Sequence, residues 1–577
     1  MPPPGASEAT TEPRATGPRG GAGGRWPRRW IIAAYVSATF VMTWPYVNYG
    51  HFATAGYEGD ARLVTWILAW DNHAVIDGWP LFRANAFFPA PDSLRYNEHA
   101  FGLSLFTLPW TLAGASPTLA YNLTWWAAFV LNGLASFAYL RRVVTQDLAA
   151  FMGSLVFTFS FYVMLHAHGH LQLIWVWALP ASLLLAERWF DRPSAGRLAA
   201  WVITLWLQVL TSWYLAVMVM AANAALALVV LATTSDVARA ATRPGTRQLW
   251  GWRGLHLAAA VLALGITVFP FARHYAGLNA GRTEAAAGSA TLASYWVPPA
   301  NSVAGRWWLA HIDDRPGSIW GEQSLFLGWI ALVLAGIGMA ALLRRRDIPR
   351  RAWVFPLLAL GGCLLSLGPD LGVLGGSTLA PFWWLSGLPG IGGIRAPARF
   401  AVLVTLGVGG LAAIGASALL RRRGPWTRVL VAAVPLMLCE WFVVDFPAGT
   451  PQPFAVPAIY RTPEVLAARS LVSLPDYRGT AESYRNSDYL YYSTAHWRPI
   501  VNGFGRGEPP GHADLIDIAR RFPATAATLR ALGVQYVVVH AGRYPDGAAA
   551  MLAAARAHPA CRLVSRVGSD YLFAIAD

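Results

Sequence analysis

The chain contains a succession of long apolar runs that few charged residues interrupt, and this feature restricts what it can fold into more than any other. About 20 consecutive apolar residues are needed for an α-helix to cross the hydrocarbon core of a bilayer. The sequence therefore predicts a mainly α, polytopic helical membrane protein. We place about eleven transmembrane helices, near 30–48, 119–140, 148–165, 171–188, 198–213, 215–233, 255–275, 324–343, 352–367, 398–420 and 427–446.

The composition agrees with a bilayer environment and argues against a soluble protein. Of the 577 residues, 55% are hydrophobic and only 13% are charged, whereas a soluble domain has about 25% charged residues. The net charge of +15 raises the question of nucleic acid. However, the arginines cluster in short segments between apolar runs, as at Arg141–Arg142 and Arg421–Arg423, which is typical of cytoplasmic loops. We expect no nucleic-acid partner.

The arginine distribution also predicts the orientation. Residues 1–24 are rich in Pro and Gly without periodicity and are predicted to be a disordered cytoplasmic tail. A transmembrane domain over 25–446 follows, with the N-terminus inside. Every inner loop then contains Arg, as the positive-inside rule requires. The outer segments are 49–118, 166–170, the turn near 214, 276–323, 368–397 and everything after 446.

One further apolar run, 101–115, is interpreted as a re-entrant or interfacial helix of the first outer loop. If this run were a span, Arg141 and Arg142 would lie outside, and every later loop would move to the opposite side of the membrane. The C-terminal region 447–577 is more polar. It has β-like runs at 535–540 and 571–576 and helical stretches at 513–521 and 524–532. This pattern predicts a small extracytoplasmic α/β domain.

The first outer loop carries acidic residues directly after the first span. Glu58 and Asp60 come just past the predicted bilayer edge, and Glu98 and His99 lie farther along. The amphipathic stretch Leu63–Ile76 would lie along the interface and hold a carboxylate at the depth of a lipid-borne phosphate. A solvated loop cap is the plain alternative.

The second outer loop contains three histidines at a spacing of two: His166, His168 and His170. They suit polar contacts to a substrate. A divalent cation such as Mg²⁺ or Mn²⁺, held by Asp60, His166 and His170, is a second alternative. The third is an interfacial polar turn without function.

Two later outer loops contribute further candidates. Tyr295 lies in an aromatic stretch suited to stacking on a sugar face, and Glu322 stands at the mouth of the next span. Arg395 and Arg399 lie on the predicted outer side, against the positive-inside tendency. A lipid phosphate would offset that cost, because Arg forms bidentate phosphate contacts. Snorkelling to headgroups is the alternative.

The sequence contains no P-loop, no dinucleotide-binding glycine pattern, no HExxH and no GxSxG. An ATP-driven pump or a nucleotide-cofactor enzyme is therefore disfavoured. A transferase that works outside the cytoplasm would use a lipid-linked donor.

The layout resembles the GT-C superfamily of membrane glycosyltransferases, which have a long first outer loop with an acidic residue soon after the first span. Asp60 stands at that position here. Within the superfamily the chain is most similar to bacterial YfhO-type membrane proteins. The similarity extends over nearly the whole chain after residue 30, in the stretches 88–91, 98–99, 170–172, 295–298, 394–400, 496–503 and 532–539. Many GT-C enzymes have a second acidic residue in the second outer loop, where this chain has histidines.

The resemblance implies that a sugar is transferred, with inversion, from a polyprenyl-phosphate-linked donor. The acceptor would be a glycan, lipid or protein of the cell envelope, at the outer face of the bacterial inner membrane. It makes Asp60 the general base, with Glu58 as a second catalytic residue. The implied substrate-binding residues are Glu98, His99, His166, His170, Tyr295, Glu322, Arg395 and Arg399. Trp497 and Tyr489 would shape the acceptor entrance.

Two other classes stay open. A transporter or flippase for an envelope lipid or polysaccharide would need polar residues near the bilayer midplane. The spans here are largely apolar, with Gln208 an exception. A non-catalytic envelope assembly protein would use the C-terminal domain to bind partners.

Overall fold

A computed structural model describes residues 25–50, 53–54, 58–233, 244–275, 282–312, 321–370, 380–387, 393–444 and 454–576. The predicted tail 1–24 lies outside the described residues. The fold is mainly helical. The first ten helices are α1 (Arg28–Met42), α2 (Glu58–Asp77), α3 (Phe101–Leu112), α4 (Pro117–Leu140), α5 (Asp147–Phe159), α6 (Phe161–His166), α7 (Leu171–Ile174), α8 (Ala178–Asp191), α9 (Ala195–Thr211) and α10 (Trp213–Thr233).

The later helices include five apolar ones that coincide with predicted spans and a set of short ones that belong to loops or to the C-terminal region. They are α11 (Pro244–Ala272), α12 (Arg282–Ala287), α13 (Val303–His311), α14 (Trp329–Arg344), α15 (Val354–Ser366), α16 (Pro381–Leu385), α17 (Ala401–Leu420), α18 (Trp426–Trp441), α19 (Pro463–Leu466), α20 (Asn486–Tyr492), α21 (His512–Arg520), α22 (Ala526–Ala531) and α23 (Ala549–Ala557).

Each of the eleven predicted runs coincides with a helix or with a pair of consecutive helices. Six stretches of the described chain are long and apolar enough to cross a bilayer: Pro117–Leu140, Asp147–His166, Leu171–Asp191, Trp213–Thr233, Gly254–Tyr275 and Pro397–Leu420. The run at 101–115 forms α3, whose 12 residues extend only about 18 Å and are too short to span. The prediction of a polytopic helical membrane protein is confirmed.

Helix α17 forms the centre of the bundle, because almost all of its residues are buried. It packs against α5, α14 and α15. Glycines let the backbones approach closely: a Cβ on Gly409 would lie 2.5 Å from the carbonyl oxygen of Gly153 in α5. Small residues at a helix contact let membrane helices approach closely and pack tightly.

The C-terminal region contains a four-stranded sheet in the order β1-β2-β4-β3. Strand β1 pairs parallel with β2, whereas β4 is antiparallel to both β2 and β3. The predicted β-like runs correspond to β2 and β4, and the predicted helical stretches to α21 and α22. The strands are β1 (Leu471–Leu474), β2 (Tyr536–His540), β3 (Cys561–Val567) and β4 (Asp570–Ile575).

The loop after α2 is hydrogen-bonded to the C-terminal region. The backbone N–H of Phe88 donates to the carbonyl of Ile500 at 2.9 Å, and the N–H of Ile500 donates to the carbonyl of Asn85 at 2.7 Å. In addition, Arg62 of α2 forms a buried ion pair with Asp488 of α20. These contacts fix α2 in position, and α2 carries Asp60.

The loops meet at two separate ends of the bundle. Residues from the predicted inner loops form one cluster, in which Arg142 and Arg351 both contact Glu187 and Asp191. We call this cluster the paired end. Residues from the predicted outer loops meet in a different cluster, which we call the site end and describe next.

Candidate functional site

Asp60 lies in the first turn of α2, where the helix dipole favours a negative charge. Its side chain is 47% exposed, and its Oδ2 lies 3.4 Å from Nε2 of His170. Partial burial raises the pKa of Asp60, and the charges of Arg395 and Arg399 oppose this rise. The carboxylate is therefore accessible, close to two cations, and a stronger base than a fully solvated one.

His170 precedes α7 and faces Asp60. Burial lowers the pKa of His170 to about 3, with a further contribution from the charge of Arg399. The imidazole is therefore neutral near pH 7, and it presents one N–H donor and one acceptor nitrogen. A neutral ring beside Asp60 orients the carboxylate without neutralising its charge.

Glu322 and Arg399 form the most tightly bonded part of the site end. Nε and Nη2 of Arg399 donate to Oε1 of Glu322 at 3.0 and 2.5 Å, and the guanidinium lies over the ring of Tyr214 at 4.6 Å. Nε2 of His166 lies 3.2 Å from Oε2 of the same carboxylate. Burial alone would raise the pKa of Glu322, but Arg399 and His166 hold it well below the usual range. Arg399 is therefore already neutralised within the protein.

Glu98 lies in the loop before α3 and joins the same cluster. The hydroxyl of Ser212 donates to its Oε1 at 3.3 Å, and Gln172 also hydrogen-bonds to it. Burial raises the pKa of Glu98, whereas Arg399 and the two hydrogen bonds lower it. Glu98 thus has neutral direct partners, as Asp60 does.

Arg395 is the accessible cation of the cluster. Its side chain is 41% exposed and contacts Glu284 only at 3.8 Å. Its charge nevertheless acts on Asp60, Glu98 and His170. A group with this exposure and a loose internal partner remains able to bind an anion.

Two of the predicted residues do not join the described cluster, and the side chain of a third, Glu58, lies outside the described residues. Nδ1 of His99 accepts a hydrogen bond from the N–H of Phe101 at 3.0 Å, and its ring packs among Phe271, Tyr275 and Phe82. The buried hydroxyl of Tyr295 bonds to Ser366 at 2.5 Å. Glu58 begins α2.

The predicted cation ligands are divided between different partners. His170 faces Asp60, His166 faces Glu322, and Nδ1 of His168 bonds to the carbonyl of Met164 at 2.9 Å. Across the described ranges, no group of three or more His, Cys, Asp or Glu side chains has a metal-binding arrangement. The side chains at the site end therefore do not fit a divalent cation as they stand.

Two contributors were not singled out from the sequence, Ser212 and Tyr214. Both lie where α9 gives way to α10, in the short turn predicted near 214. The sequence signal that could have identified them is a polar residue and an aromatic hydroxyl between two apolar helices. Their role as partners of Glu98 and Arg399 depends on contacts between distant segments.

Three of the solved structures that resemble this fold are AftD, AglB and ArnT. Arabinofuranosyltransferase AftD from Mycobacteria has a TM-score of 0.54 at 14% identity, over 96% of this chain and 42% of that one. Oligosaccharyltransferase AglB from Archaeoglobus fulgidus, in complex with an inhibitory peptide and a dolichol-phosphate, has a TM-score of 0.47 at 13% identity, over 89% and 69%. ArnT from Cupriavidus metallidurans, bound to undecaprenyl phosphate, has a TM-score of 0.46 at 12% identity, over 95% and 97%.

These similarities concern the fold alone. The chain belongs to the family described as domain of unknown function DUF6311, which matches residues 60–440. That range begins at Asp60 and includes Arg399. No curated protein matches the chain in sequence. The closer resemblance to YfhO-type proteins stays a prediction.

Proposed function

We propose that the protein is a GT-C glycosyltransferase that moves a sugar from a polyprenyl-phosphate-linked donor to an acceptor of the cell envelope. The observation that carries the proposal is the site end itself. An accessible carboxylate at Asp60, a neutral imidazole at His170 and an accessible guanidinium at Arg395 meet there. They come from three outer loops that are far apart in the sequence. The similarity to AftD supports the transferase class. This chain spans 42% of the length of AftD.

Asp60 acts as the general base in this proposal. The acceptor hydroxyl attacks the anomeric carbon while its proton passes to the Asp60 carboxylate. The new bond joins the acceptor oxygen to the anomeric carbon, and the bond from that carbon to the phosphate oxygen breaks. The products are the glycosylated acceptor, with inverted configuration, and the polyprenyl phosphate. A positioned base contributes about 10²–10⁴-fold to such a reaction.

Arg395 binds the donor phosphate and stabilises the charge that develops on the leaving group. Its exposure and its long contact with Glu284 leave its donors available. Arg399 adds positive potential from behind while remaining bonded to Glu322. Glu98 and His170 orient the acceptor and the base. Glu58, His99 and Tyr295 keep their predicted roles only as sequence-based expectations.

The proposal assigns no chemical step to a metal ion. The described carboxylates and histidines are used in pairs, and the anion-binding role falls to arginine. Chelation of the purified protein tests whether Mg²⁺ or Mn²⁺ is required.

The reaction requires that the site end face outward from the bacterial inner membrane. The N-terminus is then cytoplasmic, and the 447–577 region lies outside, beside the transmembrane domain 25–446. The paired end, with its arginines, faces the cytoplasm in this orientation. That assignment agrees with the positive-inside rule.

The decisive experiment compares Asp60→Asn with Asp92→Asn in the full-length protein, reconstituted in lipid vesicles. Asp92 belongs to the same loop and its carboxylate is half exposed, so the chemical change is matched. The assay offers a panel of radiolabelled polyprenyl-phosphate sugars together with envelope extract as acceptor, and it measures release of polyprenyl phosphate. We expect Asp60→Asn to lose about 10²–10⁴-fold of the turnover, and Asp92→Asn to retain it.

Equal turnover by Asp60→Asn and the natural sequence would contradict the assignment of the base. The two other classes predict different results. A flippase would translocate the lipid donor across the vesicle membrane without breaking the bond to phosphate. An assembly protein would bind envelope partners and show neither transfer nor translocation.

A further inference from the structure

A separate cavity of about 150 Å³ lies along α2, next to the site end. It is lined by α2, by the end of α3, by the start of α4 and by one residue of the C-terminal region. The side chains that matter for its chemistry are Thr65, Asn72, Thr107, Thr111, Tyr121 and Trp497. The arginines and histidines of the site end do not line it.

Trp497 forms a fixed aromatic wall. Its ring stacks on the imidazole of His73 with centroids 4.3 Å apart and planes at 7°. His73 is itself held by Asp77, whose Oδ2 lies 2.6 Å from Nδ1. The backbone of Trp497 has φ +54°, which is unusual for a bulky residue and is maintained only where the surroundings require it. Trp497 also lines the cavity.

Polar groups also line the cavity. The Asn72 amide donates to the hydroxyls of Thr107 and Thr111 at 2.9 and 2.8 Å. The hydroxyl of Tyr121 is buried and has no hydrogen-bond partner within the described part of the chain. A buried hydroxyl without a partner costs about 1–3 kcal/mol. A ligand hydroxyl that reached the Tyr121 oxygen from the cavity would supply this missing partner.

The cavity is adjacent to the proposed base. Thr65 follows Asp60 by five residues on the same helix, a rise of about 7.5 Å. Tyr121 lies between the two regions, because it lines the cavity and its hydroxyl also interacts with the charge of Asp60. A molecule in the cavity can thus direct one end toward Asp60.

We propose that this cavity binds one sugar ring of the acceptor, an inference that rests on the proposed transferase function. An indole together with an amide and several hydroxyls suits a ring that is apolar on its faces and polar around its edge. The volume is below the about 300–1,000 Å³ of pockets for larger ligands, so a single ring fits better than an oligosaccharide. The sugar of the donor must stay within one bond of the phosphate near Arg395, which leaves the cavity to the acceptor.

The test measures binding of simple sugars by saturation-transfer NMR, without requiring transfer. The probes are the methyl glycosides of glucose, galactose, mannose and arabinose, and the protein is the full chain in lipid nanodiscs. We expect saturable binding of at least one glycoside. Ala115→Leu, which fills the cavity, and Trp497→Ala should each weaken that binding about tenfold.

Matched variants separate this effect from misfolding. Ala113→Leu adds the same side chain at an exposed position outside the cavity and should bind as the natural sequence does. Trp497→Phe keeps an aromatic face and should retain most of the affinity. Farnesyl phosphate, the second probe, should bind equally to Ala115→Leu and the natural sequence.

Two results would overturn the proposal: no glycoside binds saturably, or Ala115→Leu and Trp497→Ala bind as well as the natural sequence. Loss of farnesyl phosphate rather than glycoside binding in Ala115→Leu would assign the cavity to the lipid tail instead. Asp60→Asn distinguishes the two proposals. The Asp60→Asn variant should bind glycosides normally but lose transfer. A failure of the proposed base and a failure of the proposed sugar site therefore give different results.

Discussion

The two ends of the helical bundle contain the same kinds of charged residue, but they pair them differently. At the paired end, both acidic residues contact both arginines, for example with Nη2 of Arg351 2.6 Å from Oδ1 of Asp191. At the site end, Asp60 and Glu98 have neutral direct partners, and Arg395 has only a 3.8 Å contact. A neutralised network stabilises a helix contact, whereas loosely paired charges at accessible positions remain available to a ligand.

The largest effect on stability is expected where a buried charge loses its partner. In Glu322→Gln, Arg399 loses its ionised partner although its side chain is only 5% exposed. We expect the unfolding free energy to fall by about 2–3 kcal/mol. This loss is smaller than that for a fully buried ion pair, because Glu322 itself is partly exposed. Thermal unfolding in detergent measures it.

Glu187→Gln at the paired end is the control for that change. Its partners Arg142 and Arg351 are 37% and 25% exposed, so water can solvate them once the charge is gone. We expect a loss of at most about 1 kcal/mol. A larger loss of unfolding free energy in Glu187→Gln than in Glu322→Gln would contradict this difference between the two ends.

Donor affinity should depend on the site end alone. Arg395→Ala removes a charge-assisted contact to phosphate, so we expect about tenfold weaker binding of farnesyl phosphate. Arg346→Ala removes an exposed arginine near the other end and should leave the affinity unchanged. Equal affinities for all three proteins would exclude Arg395 as the phosphate ligand.

The pH dependence of turnover tests the electrostatics of Asp60. The base must be ionised, so activity falls as the pH drops through its pKa, which burial raises above the usual value. Arg395→Gln removes a charge that opposes this rise, so the pKa of Asp60 should increase further. At saturating donor, the acid limb of the profile should therefore move to higher pH. A shift to lower pH would contradict the proximity of the two groups.

The smallest effect is expected from chelation. Because Asp60 and Glu322 bond to different histidines and Arg399 lies against Glu322, EDTA should leave the turnover of the purified protein unchanged. A loss that Mn²⁺ restores would show that the side chains rearrange around a cation.

The helices could be predicted because each apolar run is a local signal of sufficient length. Strands β1 and β3 were missed for the opposite reason. Leu471–Leu474 has only four residues, and Cys561–Val567 includes two arginines and has only one fully buried position. Neither run differs enough from a loop in composition, and the pairing of β1 with β2 joins segments about 65 residues apart.

The site could be predicted in its residues but not in its pairings. Asp60, His170, Glu322, Arg395 and Arg399 were all expected, because polar residues beside apolar spans are conspicuous. Nothing in the sequence indicates that Arg399 forms an ion pair with Glu322, whereas the side chain of Arg395 is accessible. Likewise, His99 follows Glu98 directly, yet its ring packs among aromatic side chains, because neighbours in an extended loop point in different directions.

A structure of the protein with a bound polyprenyl-phosphate sugar analogue would show where the donor phosphate lies relative to Asp60. We expect the phosphate to lie within hydrogen-bonding reach of Arg395 and the anomeric carbon to face the Asp60 carboxylate. A phosphate bound at the paired end, or one separated from Asp60 by packed helices, would contradict this expectation.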